Sequence, residues 1–390
     1  MAKFFFIFII IYLFLTDINS QNNIIEDQNN LLNRNIIHFI KCGNGDSILI
    51  ESNGKYGLID AANNYEFIEN EVESVQIDEN KGEENQWTSI SEKSVQSVLD
   101  YLESLNIKKL DFILGTHSHN DHIGGIPAIA FKYVDNSTIY YYKEYRENLE
   151  DIIMINWANK KYYLAALHSM KKKNAKLIEV SNKKIKFDFG NMNIELLNTE
   201  IPNNSHIIRE NTNSIATLIK FKNTKVFLAS DLKKREDRKI KNYLGKINIL
   251  KLAHHGYSES SHEFLRKTRP DHVIISNDIL FDHAKKLIKY MKNRFNPKIY
   301  ITQFINDKAI KLHLDINDKD GFYFENQNEI EFIFKQSYNK LHLCILLLFV
   351  IIQIIVYLYR KKKKIIGLFE NKNNNKKDYP SNLRIKNQIN

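Results

Sequence analysis

Apolar and small or polar positions alternate through residues 36–50 (IIHFIKCGNGDSILI), predicting two short strands joined at Gly43-Asn44-Gly45, with residues 55–60 (KYGLID) as a third. From Ala61 to about residue 88 the chain turns acidic and Asn-rich and loses its period, as an insertion would. Residues 91–105 place Val95, Val98, Leu99, Leu102 and Leu105 on one helical face, behind a serine able to cap the start, and lead into a buried strand at 110–114. Further strands are predicted at 138–142, 185–189, 194–197, 215–221, 225–229, 247–252, 272–275, 298–302, 309–314 and 330–334, with helices at 162–173, 261–267 and 284–293. Two batches of strands, each with its own helices, predict an α/β (α+β) fold of two sheets back to back with helices outside.

Two apolar runs follow a different pattern. Residues 4–15 are twelve apolar residues behind Lys3, followed by small polar residues up to Ser20, the pattern of a secretory signal peptide over residues 1–20. Residues 341–359 (LHLCILLLFVIIQIIVYLY) are long enough for a transmembrane helix across a hydrocarbon core of about 30 Å. Arg360 and Lys361 to Lys364 follow at once, which by the positive-inside rule places the body on the luminal or extracellular side. The expected location is therefore the secretory pathway or cell surface, with residues 360–390 a basic, disordered cytoplasmic tail and residues 36–335 the folded domain.

Composition matters next because the formal charge of +10 would ordinarily point to a nucleic acid or acidic membrane. Residues 360–390 hold ten Lys or Arg against two Asp or Glu, so most of the excess lies outside the body. A nearly neutral body does not support a broad nucleic-acid groove. With two cysteines, Cys42 and Cys344, there is no disulfide framework.

The densest chemistry follows the strand at 110–114. Thr116-His117-Ser118-His119-Asn120-Asp121-His122-Ile123-Gly124-Gly125 places three imidazoles and a carboxylate within six residues, ligand types that suit zinc with an open coordination position. The two glycines are expected to let the backbone turn closely around the ions. Asp231 and the pair His254-His255 each follow an apolar strand and are placed to reach the same cleft.

This sequence of motifs, HxHxDH with Gly-Gly, an Asp after a strand and then His-His-Gly, resembles the metallo-β-lactamase superfamily. Gly43-Asn44-Gly45-Asp46-Ser47, Ile59-Asp60, Asn213-Ser214 and His283 are similar to the branch holding the metallo-β-lactamase-like domain of DNA-uptake competence proteins and pneumococcal phosphorylcholine esterase. The resemblance covers roughly residues 36–315 and implies a four-layer αββα fold with two zinc ions per chain, manganese or iron being left open. His117 and His119 would hold one ion, Asp121 and His122 the other, and Asp231 would bridge them. His255 is preferred over His254 as the further ligand of the second ion. His206 stands near the region from which such proteins draw another ligand, and Asn213 occupies the motif position itself. Asp60, Asp46, Asn213 and His283 would support the ligands from behind.

Two bridged zinc ions lower the pKa of water to near neutrality, hold the hydroxide as nucleophile and polarise a phosphoryl or carbonyl oxygen. Asp121 is the expected catalytic carboxylate. The sequence thus predicts a membrane-anchored hydrolase of a small anionic phosphodiester or similar ester. A nuclease, a lactone or β-lactam hydrolase, and a cell-surface binding protein with a vestigial site are the alternatives. Tyr140, Tyr141, Tyr142, Tyr145, Trp157, Tyr162, Tyr163 and Tyr257 supply rings for a cage around a quaternary ammonium, or else core positions.

Overall fold

The computed structural model describes residues 34–63, 94–145, 155–200, 210–257, 260–277, 282–315, 318, 321–325, 351–354 and 357. The leader, residues 64–88 of the insertion, the strand expected at 330–334, His206 and the tail lie outside these residues. The chain divides into two compact units, residues 1–330 and 331–390. In the second, the described part of the expected membrane helix, residues 351–354 and 357, is helical and exposed. Among the described residues no helix is long and apolar enough to cross a membrane.

The first unit is a mixed α/β fold with two sheets. Strands β1 (Asn35–Ile40), β2 (Ile48–Ser52) and β3 (Lys55–Ile59) form an antiparallel meander. Helix α1 (Ser94–Ser104) then leads to β4 (Phe112–Leu114), which pairs parallel with β3. Helices α2 (Asn120–Ile123) and α3 (Ile126–Tyr133), strand β5 (Ile139–Tyr142), helix α4 (Ile155–Lys172) and strand β6 (Lys176–Glu179) complete this half. The second sheet begins with β7 (Ile185–Phe189) and β8 (Met192–Leu197). Helix α5 (Glu210–Asn213) precedes β9 (Ala216–Phe221) and β10 (Thr224–Leu228), after which α6 (Lys234–Leu244), β11 (Ile249–Lys251), α7 (His262–Thr268), β12 (His272–Ile275), α8 (Asp282–Phe295) and β13 (Lys298–Ile301) alternate. The chain then returns to the first sheet through β14 (Ala309–Leu314), paired with β1, and β15 (Phe322–Phe324). Sheet orders are β15-β14-β1-β2-β3-β4-β5-β6 and β13-β12-β11-β10-β9-β8-β7.

The period-2 alternation assigns each face of the first sheet. Phe39, Ile48, Ile50, Ile59, Phe112 and Leu114 enter a core shared with Leu218, Val226, Leu228 and Leu250 of the second sheet. Their neighbours Leu49, Leu58 and Ile113 point the other way, to Val98 and Leu102 of α1 and Ile129 and Ala130 of α3. The run β3-β4-β5-β6 and the run β10-β11-β12-β13 are each parallel. Loops leaving the carboxyl ends of parallel strands cluster at one end of a sheet, the usual place for a site in such folds. Here both sheets contribute: His117 follows β4, Asp60 follows β3, Asp231 follows β10, and His254 and His255 follow β11.

Candidate metal centre

Backbone hydrogen bonds between these loops draw the side chains together. Asp46 N–H donates to the Asp121 carbonyl (3.0 Å), Ala61 N–H to His122 (2.7 Å), Ile215 N–H to Thr116 (3.0 Å) and His254 N–H to Ser230 (2.9 Å). Asp60, Ser230, His254 and His255 all have left-handed backbones, with φ of 58°, 46°, 50° and 52°. Such conformations cost energy in non-glycine residues, and four of them meet at this one place. Gly124 and Gly125, in contrast, have ordinary negative φ of −59° and −81°, so they are not there to turn the chain. A side chain at Gly125 would run into the Ala61 carbonyl, and one at Gly45 would stand 2.6 Å from the Asp121 carbonyl. Close approach of the loops is what requires them.

His117 Nε2 lies 3.1 Å from His119 Nδ1 and 3.7 Å from Asp231 Oδ2. On the other side of Asp231, Oδ1 is 3.2 Å from His122 Nε2 and 3.7 Å from His255 Nε2, and His255 Nε2 is 3.3 Å from Asp121 Oδ2. The ligand atoms of His117, His119 and Asp231, those of Asp121, His122 and His255, and those of Asp46, His122 and Asp231 each fall within 4.8 Å of one another. His254 Nε2 approaches Asp231 Oδ2 at 3.6 Å and Asn211 Nδ2 at 3.3 Å. His119, Asp121 and His254 are partly exposed and form the solvent side; His117, His122, His255 and Asp231 are buried.

Ligand orientation is set from behind. Asp60 accepts from Thr116 N–H (2.9 Å) and from the Thr116 hydroxyl (2.8 Å), and its Oδ2 is 2.7 Å from His122 Nδ1. A carboxylate only accepts, so His122 carries its proton on Nδ1 and turns the Nε2 lone pair inward. His255 Nδ1 donates to the Ser276 carbonyl at 3.1 Å, with the same result. The Thr116 hydroxyl has spent its one proton on Asp60 and accepts from Ser230 (2.8 Å), so it accepts also from His117 Nδ1 (3.1 Å). Three imidazoles therefore aim bare nitrogens at one another and at Asp231.

These groups fit a cation. His122 Nε2, His255 Nε2 and both Asp231 oxygens are buried and have no hydrogen-bond partner among the described residues. Buried polar atoms are rarely left so without an ion or ligand. Burial opposes charge on His122, yet Asp231, Asp60 and Asp121 together raise its proton affinity well above the histidine range. That pull is an attraction for positive charge, which a divalent ion satisfies as a proton does. His117, buried beside His122 and His119, is held well below the histidine range. The Asp231 carboxylate is held ionised against its burial by His122 and His255.

Asp46 is buried, forms an ion pair with the fully buried Lys251, and sits 3.4 Å from His255 Nδ1 and 4.0 Å from His122 Nδ1. Among the described residues Asn213 makes no hydrogen bond to an imidazole; its Nδ2 donates to the Glu144 carbonyl at 2.9 Å and approaches Glu210 Oε1 at 3.4 Å. Glu210 in turn accepts from Ser118 N–H at 3.1 Å, inside the histidine cluster. His283 is exposed in α8 and lines a different cavity, with Lys286 and Tyr290, to which none of the clustered His and Asp residues contributes. Lys251, Thr116, Ser230, Glu210 and Asn211 were not singled out from sequence. A lysine inside the apolar strand 247–252 was the one usable signal; the others are ordinary loop residues until the sheets meet.

The tyrosines do not assemble into one cage. Tyr140 is buried in the core under α1 and α3, and Tyr141 stacks on Phe187 between the sheets. Tyr142 and Tyr145 group around Tyr163, while Tyr257 lies apart, 5.1 Å from the His254 ring. Packing of β5 accounts for the first two, as strand alternation requires.

The family model described as Anti-Pycsar protein Apyc1 matches residues 93–267. This segment includes His117 to His122, Asp231, His254 and His255, but neither Asp46 nor Asp60. No curated protein matches. Among solved structures, the chain is similar to the metallo-β-lactamase fold protein YhfI from Bacillus subtilis, with 13% identity over 71% of this chain and 98% of that one, at a TM-score of 0.41. It is also similar to a mutant of the CmlA β-hydroxylase (12% identity, 72% of this chain, 54% of that one, TM-score 0.40). A third is a diphosphatase from the PhnP family (13% identity, 69% and 83%, TM-score 0.35).

Proposed function

We propose that this protein is a metal-dependent hydrolase whose centre holds two divalent ions, zinc above all, and cleaves a phosphodiester or similar ester. His117, His119 and Asp231 would hold one ion; Asp121, His122, His255 and Asp231 the other. The observation that carries the reading is the convergence of the ligand atoms of these six side chains around the buried Asp231, with His122 Nε2, His255 Nε2 and both Asp231 oxygens lacking a hydrogen-bond partner among the described residues. When bound, zinc supplies Lewis acidity and lowers the pKa of water. Asp60 and the Ser276 carbonyl keep His122 and His255 in the tautomer that offers Nε2. Asp121, partly exposed with Oδ2 3.3 Å from His255 Nε2, is held ionised by His122 and His255 against its burial, so it would act as an acceptor: its carboxylate would take a proton from the attacking water and hand it toward a departing oxygen. His254, beside Asn211 and Tyr257, faces the same opening and is positioned to meet the substrate. All six ligand types are intact, which supports an active centre over a vestigial one.

The apolar run 341–359 with its basic flank supports a single-pass membrane anchor, and residues 1–20 a secretory route, with the body outside the cytoplasm. Protease added to intact cells or to sealed right-side-out vesicles would then spare only the tail; a protected body there would overturn this topology. The activity is tested with bis-(p-nitrophenyl) phosphate and the purified full-length chain. Turnover that a chelator abolishes, zinc restores and His119→Ala removes is expected. Turnover unaffected by the chelator and by His119→Ala would refute a metal hydrolase.

A further inference from the structure

A cavity of about 640 Å³ lies between α6, α7 and α8. Lys234, Arg266 and Lys286 line it and have no carboxylate partner among the described residues, whereas Arg238 on the same wall is 3.6 Å from Glu263. Charge alone would describe an ordinary basic surface. Two further groups set this cavity apart. Ser260, only 2% exposed, lines it with a buried hydroxyl that has no hydrogen-bond partner among the described residues. The Tyr290 hydroxyl is likewise buried and unpartnered, its ring stacked 3.8 Å from that of His262.

An unpaired buried hydroxyl costs free energy unless a ligand or water satisfies it. Two such hydroxyls together with three unpaired cations form a set of donors whose complement is a multiply charged oxyanion, because phosphoryl oxygens accept from ammonium, guanidinium and hydroxyl groups at once. A carboxylate carries only two oxygens, too few for this donor set. We infer that the cavity between α6, α7 and α8 binds a phosphoryl dianion, at a site separate from the His and Asp cluster. That group belongs either to a distal part of the substrate or to a free phosphate-bearing ligand. Both walls lie close in sequence to the metal centre: Ser260 comes five residues after His255, and α8 follows Asn277, whose Nδ2 donates to the His255 carbonyl at 3.0 Å.

The test measures pyrophosphate binding by calorimetry to the metal-loaded full-length chain, so it does not depend on hydrolysis. Because pyrophosphate also meets bound metal, the reference background is His119→Ala dialysed against a chelator, which removes the ion that Asp121, His122 and His255 could still hold. There, one binding event is expected to remain, and Lys286→Ala with Arg266→Ala should weaken it about tenfold or more. Ser260→Ala should weaken it several-fold at constant charge, and sulfate, a weaker acceptor, should bind less well. Binding that the lysine and arginine changes reduce, but that ignores Ser260→Ala and does not separate pyrophosphate from sulfate, would mean a non-specific basic surface and overturn the inference. So would no binding in the His119→Ala background while thermal melting shows that variant folded. If binding is confirmed, an increase in KM confined to substrates carrying a second phosphoryl group in Lys286→Ala identifies the distal part of the substrate as the occupant. A change in turnover of bis-(p-nitrophenyl) phosphate on adding pyrophosphate, lost in Lys286→Ala, identifies a free ligand.

Discussion

Asp60→Asn probes the account at one atom. The carboxylate receives two hydrogen bonds from Thr116 and one, at 2.7 Å, from His122 Nδ1. Asparagine matches it in volume and keeps one oxygen for Thr116 N–H, but it turns an NH2 toward the Thr116 hydroxyl and His122 Nδ1, where two donors already point. The least costly relief is for His122 to move its proton to Nε2. That nitrogen then no longer offers a lone pair beside Asp231 Oδ1, 3.2 Å away. Loss of such an orienting partner lowers metal affinity about 10–100-fold, or roughly 1.4–2.7 kcal/mol. Competition against a chromophoric chelator measures it, with apo-protein melting as the control for folding. The effect should fall on one of two ions. An affinity within about twofold of wild type, with a lowered apo melting temperature, would show that Asp60 only supports the fold and would refute the tautomer argument.

Three further outcomes follow from the structure. Burial raises the Asp237 carboxyl to about 6 against its hydrogen bonds from Ser261. A folded-state pKa above the ordinary value near 3.9 adds stability that is complete below about pH 4 and is lost as pH rises through 6, by at most about 3 kcal/mol. Urea titrations at pH 4 and 7 should therefore show a larger fall for wild type than for Asp237→Asn; equal falls would contradict the assignment. Lys251→Met leaves Asp46 ionised and buried, and should destabilise the chain by about 3–5 kcal/mol, while adding Asp46→Asn recovers part of the loss. A double variant no better than the single one would show that the pair is not the cause. Gly125→Ala, at an ordinary φ, should cost about 1–3 kcal/mol by forcing the Ala61 carbonyl away, read from the denaturation midpoint; a neutral effect would mean the loop yields freely.

The strands were legible where alternation and apolar runs are strong: β1 to β3, β7, β12 and β14 lie within a residue or two of their expected limits. Helix α6 was not, because KREDRKIKNYL has only two aliphatic residues, Ile240 and Leu244, and its inward face also carries Glu236 and Asp237. Strand β6 is four half-exposed residues at a sheet edge, with too few positions to show a period. Helix α4 starts at Ile155, seven residues before its expected limit at 162, since INWANKK lacks an apolar stripe. The sequence also could not show that β14 and β15 leave the second sheet and return beside β1; that pairing is between segments nearly three hundred residues apart. At the site, short spacing exposed His117 to His122 directly. Asp46, Asp60, Asp231, His254 and His255 needed the motif pattern, Lys251 left only the trace of a lysine inside an apolar strand, and Thr116, Ser230 and Glu210 became visible only when the two sheets met.

Metal stoichiometry tests the central claim most directly. The purified full-length chain, dialysed after expression with zinc and analysed by inductively coupled plasma mass spectrometry, should carry two divalent ions per chain, and about half as much or less after His119→Ala. A folded wild-type chain, with cooperative melting and no bound metal, would contradict the account.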